Sequence, residues 1–466
     1  MEVKGVISPE RIIGLFEKNR AQIIKNDTRA ITAVREKAFA SFRELGFPTS
    51  KMEEWKNTDL KETLAKDYDY HFIPFFEGDM KNVLRCNIPH LDTAMIGQLN
   101  GWYVSQDVPL IELGNGIILG SLSQAMVRYP QLVENHLGKY ADTTKDGLTA
   151  LNTAFSQDGI FIYVPDNVHA TKPVQLINVI RNTENLFLQS RNLIILGKNS
   201  RLSVVHCDDS YNLQSSFSNI VTEIFMDEGS NLDHYKLQNL NNDSTLISTT
   251  VFHLERTATL ESHFLSLNGG LIRNNTRIVF AGEKGVAKVY GLYLMDRKQH
   301  IDNHVFIDHA APGCISSEMF KGILDEHATG VFNGHVLVRQ IAQKTNAYQS
   351  NRNILLTDTA KVNSKPFLEI YADDVKCSHG STTGQLDSEA MFYLMQRGIG
   401  EESARMLLMF AFADEVVSHI AIEPLRQRIE DMIKKRLQGE LQICEQCILH
   451  CSTPEHPEFQ IDISKI

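Results

Sequence analysis

Two residues two positions apart, Cys377 and His379, are the side chains in this sequence best suited to bind a transition metal. They lie in the segment YADDVKCSHGSTTG, and if it forms a regular strand, Asp373 shares a face with both of them. Thiolate and imidazole groups suit iron and iron–sulfur units. Because two side chains supply only half of a tetrahedral shell, the pattern predicts a half-site that another protein completes.

Two other interpretations of this pair remain open from the residues alone. A Cys-x-His pair on a strand is commonly part of the buried packing, with no ligand role. A nucleophilic dyad would need a hydrogen bond between the two side chains and an oxyanion hole beside them. Side chains two positions apart on a strand stand roughly parallel, and no helix N-terminus is evident nearby, so the sequence disfavours catalysis.

A second group of ligand types lies near the end of the sequence, in CEQCILHC. It consists of Cys444, Cys447, His450 and Cys451. Cys-x-x-Cys is half of a zinc or cluster site. The segment follows a predicted helix, however, so a reduced and partly buried helix end is the alternative.

A third group, rich in histidine and aspartate, lies in the middle of the chain. It consists of His300, Asp302, His304, Asp308, His309 and Cys314. Its spacing fits no closed zinc pattern. This favours structural hydrogen bonding, with contacts to a partner protein as the alternative.

The composition is that of a soluble globular protein, with 42% apolar and 22% charged residues in 466. A net charge of -11 argues against nucleic-acid binding. No apolar run of membrane-spanning length occurs, and the start of the sequence is charged throughout, unlike a signal peptide. Seven cysteines, an odd number, are expected to be reduced thiols in a cytoplasm. No G-x-x-x-x-G-K-[ST] motif occurs, so any ATP-driven step must come from a partner.

A weak internal repeat indicates the architecture of the middle of the chain. Six segments share an apolar pair, a turn, a small residue and a strand, and their small residues are Ser200, Ser230, Ala258, Gly285, Ala328 and Ala360. The spacings of 30, 28, 27, 43 and 32 residues, with no helices between, suit a β-solenoid or stacked antiparallel sheets. Each unit leaves a sheet edge that only the next unit can pair.

Three regions are therefore expected. Residues 1–150 form an N-terminal helical and mixed region, in which Ser8 caps a helix with Pro9 at its first position. Residues 151–385 form the β core, and residues 386–466 form a helical region that begins at the cap Asp387. An apolar stripe in that last region either covers the final coil or binds a partner; its members are Met406, Leu407, Phe410, Val417 and Ile420.

Several long motifs resemble one protein family. YADDVKCSHGSTTGQLDSEAMFYLMQRGI, NGHVLVRQIAQKTNAYQSNRNILLTDTAKVNSKPFLEI and HIDNHVFIDHAAPGCISSEMFKGIL are similar to segments of the SufB/SufD family of the SUF iron–sulfur cluster assembly system. So is GFPTSKMEEWKNTDL, with Lys51, Glu53, Trp55 and Thr58. The match runs from residue 46 to about residue 420. Asn351 and Asn353 stand where SufB-type members carry a cysteine, so the chain looks like the SufD branch.

The resemblance implies a right-handed parallel β-helix between helical ends, acting as a non-enzymatic scaffold. It implies that the β-helix pairs edge to edge with SufB and that the C-terminal helices bind the SufC ATPase. It also implies a transient cluster between SufB and this chain, with His379 and Cys377 as ligands, and no tightly bound cofactor in the isolated chain. An open sheet edge without SufB favours a homodimer.

Two other functions are carried as alternatives. A SufB-like scaffold would itself accept sulfur, which the missing cysteine near Asn351 disfavours. A carbohydrate-active β-helix enzyme is possible on fold alone. Only two tryptophans for sugar stacking, and no paired carboxylates of the glycosidase kind in the repeats, argue against it.

Overall fold

The structure is a computed structural model that describes residues 5–74, 88–104, 108–181, 183–211 and 214–438. It is mostly β, with a parallel β-solenoid of about eight turns in the core and helices at both ends. The prediction of a mainly β protein with a parallel β-helix core and helical ends is confirmed. Among the described residues, no helix combines the length and apolar character that a membrane crossing requires.

The strands fall into short N-terminal ones and long ones that form the solenoid. The N-terminal strands are β1 Gly5–Val6, β2 Asp67–Tyr68, β3 Ala94–Leu99, β4 Trp102–Val104, β5 Leu110–Glu112 and β6 Ile118–Ser121. The solenoid strands are β7 Ile160–Val164, β8 Val174–Ile180, β9 Leu186–Leu196, β10 Arg201–Ser210, β11 Ser216–Met226, β12 Asn231–Asn239, β13 Thr245–Leu254, β14 Thr259–Asn268, β15 Leu271–Phe280, β16 Val286–Met295, β17 His300–His309, β18 Ile315–Leu324, β19 Thr329–Val338, β20 Asn346–Leu355, β21 Lys361–Ile370 and β22 Lys376–Gly384.

The helices flank the solenoid on its N- and C-terminal sides. They are α1 Pro9–Ile23, α2 Arg29–Leu45, α3 Lys61–Leu64, α4 Leu122–Arg128, α5 Pro130–Glu134, α6 Gly147–Phe155, α7 Ser388–Met395, α8 Glu401–Val417 and α9 Glu423–Leu437, with a 3-10 helix at Glu53–Trp55. The predicted cap Ser8 accepts a hydrogen bond from the backbone N–H of Arg11, and Asp387 caps α7 in the same way. The division at residues 150 and 385 stays a prediction.

Alternate strands from β7 to β22 pair in parallel, so the chain winds through two ten-stranded sheets; the pairs β3–β4, β5–β6 and β6–β7 at their ends are antiparallel. The even sheet has the order β22-β20-β18-β16-β14-β12-β10-β8-β3-β4, and the odd sheet has the order β21-β19-β17-β15-β13-β11-β9-β7-β6-β5. Every second side chain points into the space between the sheets. Residues such as Leu260, Phe280 and Phe332 fill that interior without measurable exposure.

One corner of the solenoid repeats a two-residue turn motif. A residue with left-handed backbone geometry precedes a small buried residue in five successive coils: Asn199–Ser200, Gly229–Ser230, Thr257–Ala258, Lys284–Gly285 and Gly313–Cys314. Ala328 and Ala360 lie at the opposite corner, between strands of the even and the odd sheet. The spacing of 43 residues between Gly285 and Ala328 therefore spans one and a half coils and is not an irregular loop.

The N-terminal helices cover the outer face of the odd sheet. Aromatic side chains of α1, α2 and α6 form one buried cluster with Phe187, Phe217 and Ile247 of the sheet. Phe16 stacks on Phe39 with ring centroids 3.9 Å apart. This packing fixes the N-terminal region against the first coils.

The C-terminal helices lie along the outer face of the even sheet and do not cover the final coil. Part of the expected apolar stripe packs there: Val417 and Ile420 are buried in one cluster with strand residues such as Ile177 and Val205, and Met406 and Phe410 are partly buried against it. Lys321 of β18 anchors α8: its Nζ donates to the Phe412 carbonyl at 3.1 Å and pairs with Glu415 at 2.5 Å. The prediction that the stripe covers the last coil is therefore wrong. The stripe covers the flank of the solenoid instead.

Candidate functional site: the open end of the solenoid

Two strand edges are unpaired within the described residues at the end of the last coil. β21 and β22 are the terminal strands of the odd and even sheets. The backbone N–H of Lys376 donates to the carbonyl of Thr345, the residue just before β20. Because N–H groups alternate sides along a strand, those of Cys377, His379, Ser381 and Thr383 face the free edge. The same alternation on β21 places position 366 at its free edge, where proline has no N–H to offer.

Cys377 and His379 lie on the same face of β22, as predicted, and that face is the inner one. They stand beside Ala347 and Gln349 of β20, which are both buried. Cys377 is half-buried and packs against the interior core, whereas His379 is exposed. Asp373 does not share their face, because β22 begins at Lys376 and Asp373 lies in the preceding bend. The prediction that Asp373 joins the pair was wrong.

The Cys377–His379 pair is an incomplete metal site in chemical terms. Burial raises the pKa of the Cys377 thiol, so a metal would have to displace its proton. Among the residues that the structure describes, no group of three or more His, Cys, Asp or Glu side chains is arranged to hold a metal ion. Any cluster held here would need further ligands from outside this chain.

The other cysteines divide into buried thiols and residues outside the described ranges. Cys207 and Cys314 are free and buried, at 5% and 0% exposure. Burial also raises the pKa of Cys314. Of the three cysteines in the described part of the chain, Cys377 alone has appreciable solvent access. The candidate ligands Cys444, Cys447 and Cys451, with His450, lie outside the described residues.

A hydrogen-bonded network of uncharged groups continues inward from the open end. Ser381 Oγ lies 2.8 Å from Ser364 Oγ, which donates to Asn351 Oδ1 at 2.8 Å. Asn353 Nδ2 donates to the same oxygen at 2.8 Å, and Tyr293 donates its hydroxyl to Asn353. Burial raises the pKa of Tyr293, which keeps that hydroxyl protonated. Asn351 and Asn353 are thus interior positions of the penultimate coil.

The chain matches two models of known protein families. A model described as "SUF system FeS cluster assembly, SufBD core domain" matches residues 179–412, and "SufBD protein N-terminal region" matches residues 8–176. The chain belongs to the SufBD family. This confirms the resemblance seen in the sequence motifs and makes the chain a SufBD component of SUF-system iron–sulfur cluster assembly.

Curated relatives of this SufBD protein match it along most of its length. An iron–sulfur cluster assembly SufBD family protein of Synechocystis is 29% identical over 428 residues, covering 90% of this chain and 94% of the relative. The SufD protein of Escherichia coli is 28% identical over 397 residues, covering 84% and 90%. The SufD protein of Bacillus subtilis is 25% identical over 330 residues, covering 69% and 74%.

The two matched regions of this SufBD protein are joined by a buried polar cluster. The Arg273 guanidinium lies 3.9 Å from the centroid of the Trp55 ring and donates to the Glu54 carbonyl at 2.8 Å. It also pairs with Asp302 at 2.6 Å. Thr58 donates to Asp302 at 2.5 Å, so the N-terminal motif of the sequence docks on strands β15 and β17.

The histidine- and aspartate-rich group of the sequence does not form one cluster, because only some of its residues contact the docked N-terminal motif. His300 lies 2.9 Å from the Thr58 hydroxyl, and His304 lies 2.9 Å from Asp302. His309 instead points into the solenoid, 2.9 Å from Ser316, where burial lowers its pKa to about 4. Asp308 binds the guanidinium of Arg339 on the outer face. Structural hydrogen bonding therefore accounts for these residues. No pattern in the sequence alone could have shown that Trp55 contacts Arg273, because the two residues are far apart in the chain.

The charge on Asp302 is maintained against burial. Burial opposes its ionisation, but the Arg273 guanidinium and His304 outweigh that effect and hold the pKa well below the ordinary value of 3.8. A group whose folded-state pKa is depressed stabilises the fold above its unfolded pKa. That contribution is lost as the pH falls through the folded-state pKa.

We predict that Asp302→Asn lowers the free energy of unfolding at pH 7 by about 3 kcal/mol, because it leaves the buried Arg273 without its counter-charge. Between pH 7 and 3, the variant should also lose less stability than the wild type. Urea unfolding at several pH values measures both effects. The control is Asp59→Asn, an exposed carboxylate in the same motif, which should change stability by less than about 0.5 kcal/mol. Equal effects of the two substitutions would contradict the assignment.

Proposed function

We propose that this SufBD protein is a non-enzymatic scaffold that completes its sheet edge and its ligand set with a partner, the SufB protein of the same system. The observation that carries the proposal is the coincidence of an unpaired strand edge with an inward-facing Cys377 and an exposed His379 on that same strand. An edge strand is a template for another strand. A partner strand beside β22 would bring its own side chains next to these two.

The nascent iron–sulfur cluster is the cargo of this site. His379 is the favoured ligand, because its imidazole is accessible and neutral imidazole binds iron readily. Cys377 is the second ligand once its proton is displaced. The isolated chain then needs no tightly bound cofactor, and the free thiols of its three described cysteines agree with the expected cytoplasmic location.

We predict that His379→Ala leaves the complex of this chain with SufB and SufC assembled but reduces cluster formation by about half or more, since an incomplete shell releases metal. The purified complex is reconstituted with iron and sulfide, and its visible absorbance is measured beside its elution volume. Ser378→Ala, on the opposite face of β22, is the matched control and should behave like the wild type. A full-strength spectrum from His379→Ala would remove this residue from the site.

The same free edge supports a homodimer when SufB is absent. Four N–H groups of β22 face outward without a partner among the described residues, and ten-residue β21 runs beside it with one donor missing at Pro366. Exposed apolar side chains lie next to this edge, including Phe367 and Tyr371 at 44% and 61% exposure. Pairing with a second copy would cover both the donors and these rings.

We predict that Thr383→Pro raises the dissociation constant of the isolated homodimer about fivefold or more, because it removes one edge donor and restricts the strand. The bonds between β22 and β20 are spared, since the Thr383 N–H faces away from β20. Sedimentation equilibrium measures the constant, with Thr383→Val as a control that keeps the N–H. An unchanged dimer in the proline variant would show that the copies associate elsewhere.

The SufC ATPase is proposed to bind the C-terminal helices through α7. This helix is apolar, yet none of its side chains is buried. Phe392, Tyr393 and Met395 are 64%, 57% and 43% exposed. Such an exposed apolar surface indicates that a partner protein binds there. An ATPase would supply the nucleotide-binding motif that this chain lacks.

We predict that Phe392→Ala combined with Tyr393→Ala weakens binding of the SufC ATPase at least about thirtyfold, as expected for aromatic anchors. Thermal unfolding should be unchanged, because neither ring is buried in the isolated chain. Calorimetric titration with SufC measures the affinity, and Gln396→Ala at the end of the same helix is the control. Wild-type affinity in the double variant would move the docking surface to another part of the chain.

A further inference from the structure

A carboxyl group is buried inside the solenoid two coils below its open end. Glu318 of β18 points inward with no exposed surface, and burial raises its pKa to about 8. Both of its carboxyl oxygens lie 3.3 Å from Nε2 of Gln349 on β20. Among the described residues, this amide is its hydrogen-bond partner. A carboxyl in an apolar interior is costly to bury, so its presence calls for an explanation.

Gln349 is itself fully buried and only half satisfied. Its Nε2 is engaged by Glu318, but its Oε1 has no donor within the described part of the chain. The side chain extends across the interior to Gly334 of the odd sheet, where an added Cβ would lie 2.0 Å from Nε2. The missing side chain at position 334 thus makes room for the amide.

The strand register places His379 next to this amide on the open side. Glu318 stands beside Gln349, and Gln349 stands beside His379, on the consecutive strands β18, β20 and β22. Neighbouring strands lie about 4.8 Å apart. Glu318, Gln349 and His379 therefore form one inward-facing column that runs from a buried carboxyl to an exposed imidazole.

We propose that Glu318 and Gln349 are positioning residues for His379, an inference that rests on the ligand role given to His379 above. Glu318 accepts from Nε2 of Gln349 and so fixes the direction of the amide. The unsatisfied Oε1 then accepts the N–H of one ring nitrogen of His379. The other ring nitrogen keeps its lone pair for iron. Metal-binding histidines usually donate their second N–H to such an outer partner, which fixes the tautomer and the ring orientation.

Three variants separate this role from a structural one. Gln349→Leu removes both the carbonyl and the NH2 group of the side-chain amide and keeps a similar side-chain volume. Gly334→Ala changes none of the three residues of the column, but its added methyl group displaces the Gln349 amide. Glu318→Gln is the conservative control, because its side-chain carbonyl still accepts from Nε2 of Gln349.

The first readout is the tautomer of His379 in the metal-free chain, from long-range nitrogen–proton spectra of protein labelled at histidine. The signal is assigned by its absence in His379→Ala. We expect one dominant tautomer in the wild type and in Glu318→Gln, and a mixture in Gln349→Leu and Gly334→Ala. The same tautomer in all four proteins would overturn the proposal.

The second readout is the affinity of the assembled complex with SufB and SufC for Fe²⁺ ions, measured by titration. Gln349→Leu and Gly334→Ala should weaken it about tenfold to a hundredfold, and Glu318→Gln should change it less than about twofold. If His379→Ala weakens Fe²⁺ binding but Gln349→Leu does not, the positioning role fails while the ligand role stands. If His379→Ala itself has no effect, the proposed function fails first.

Discussion

Parallel backbone pairing between successive coils is the constraint on which this molecule depends. Each long strand is paired on both sides by strands of the coils before and after it, until the chain reaches β21 and β22. Among the described residues the pairing ends there without a cover, because the C-terminal helices run back along the flank of the even sheet. The proposed binding surface is thus the place where the strand pairing of the solenoid has no further strand of this chain, within its described residues, to continue it.

The fold was largely predictable because its repeat leaves a local signature. At one corner a small buried residue follows the left-handed turn residue, and this is visible in the sequence at Ser200, Ser230 and Ala258. The apparent irregularity before Ala328 arose because sequence spacing does not distinguish the two corners of a coil. The position of the C-terminal helices was missed for a related reason. An amphipathic pattern shows which side of a helix is apolar but not which surface it covers.

The candidate site was predictable in part. Strand alternation was sufficient to place Cys377 and His379 on one face, but it did not show where the strand begins, and so Asp373 was included wrongly. Glu318 and Gln349 were missed, although a glutamate at an inward position of ISSEMFKGIL is an unusual choice that could have drawn notice. Their connection to His379 depends on the register of three strands separated by about thirty residues each, and that register is known only from the structure.

The flank-covering arrangement of the C-terminal helices has a consequence for biosynthesis. The apolar outer face of the even sheet includes Val205, yet its cover includes Ile433, which the ribosome adds 228 residues later. At the usual rates of translation, that delay is roughly 10 to 50 seconds. During this interval a nascent chain presents a long apolar sheet face to the surrounding proteome. The outer surface of the even sheet can therefore finish folding only after α9 has been synthesised.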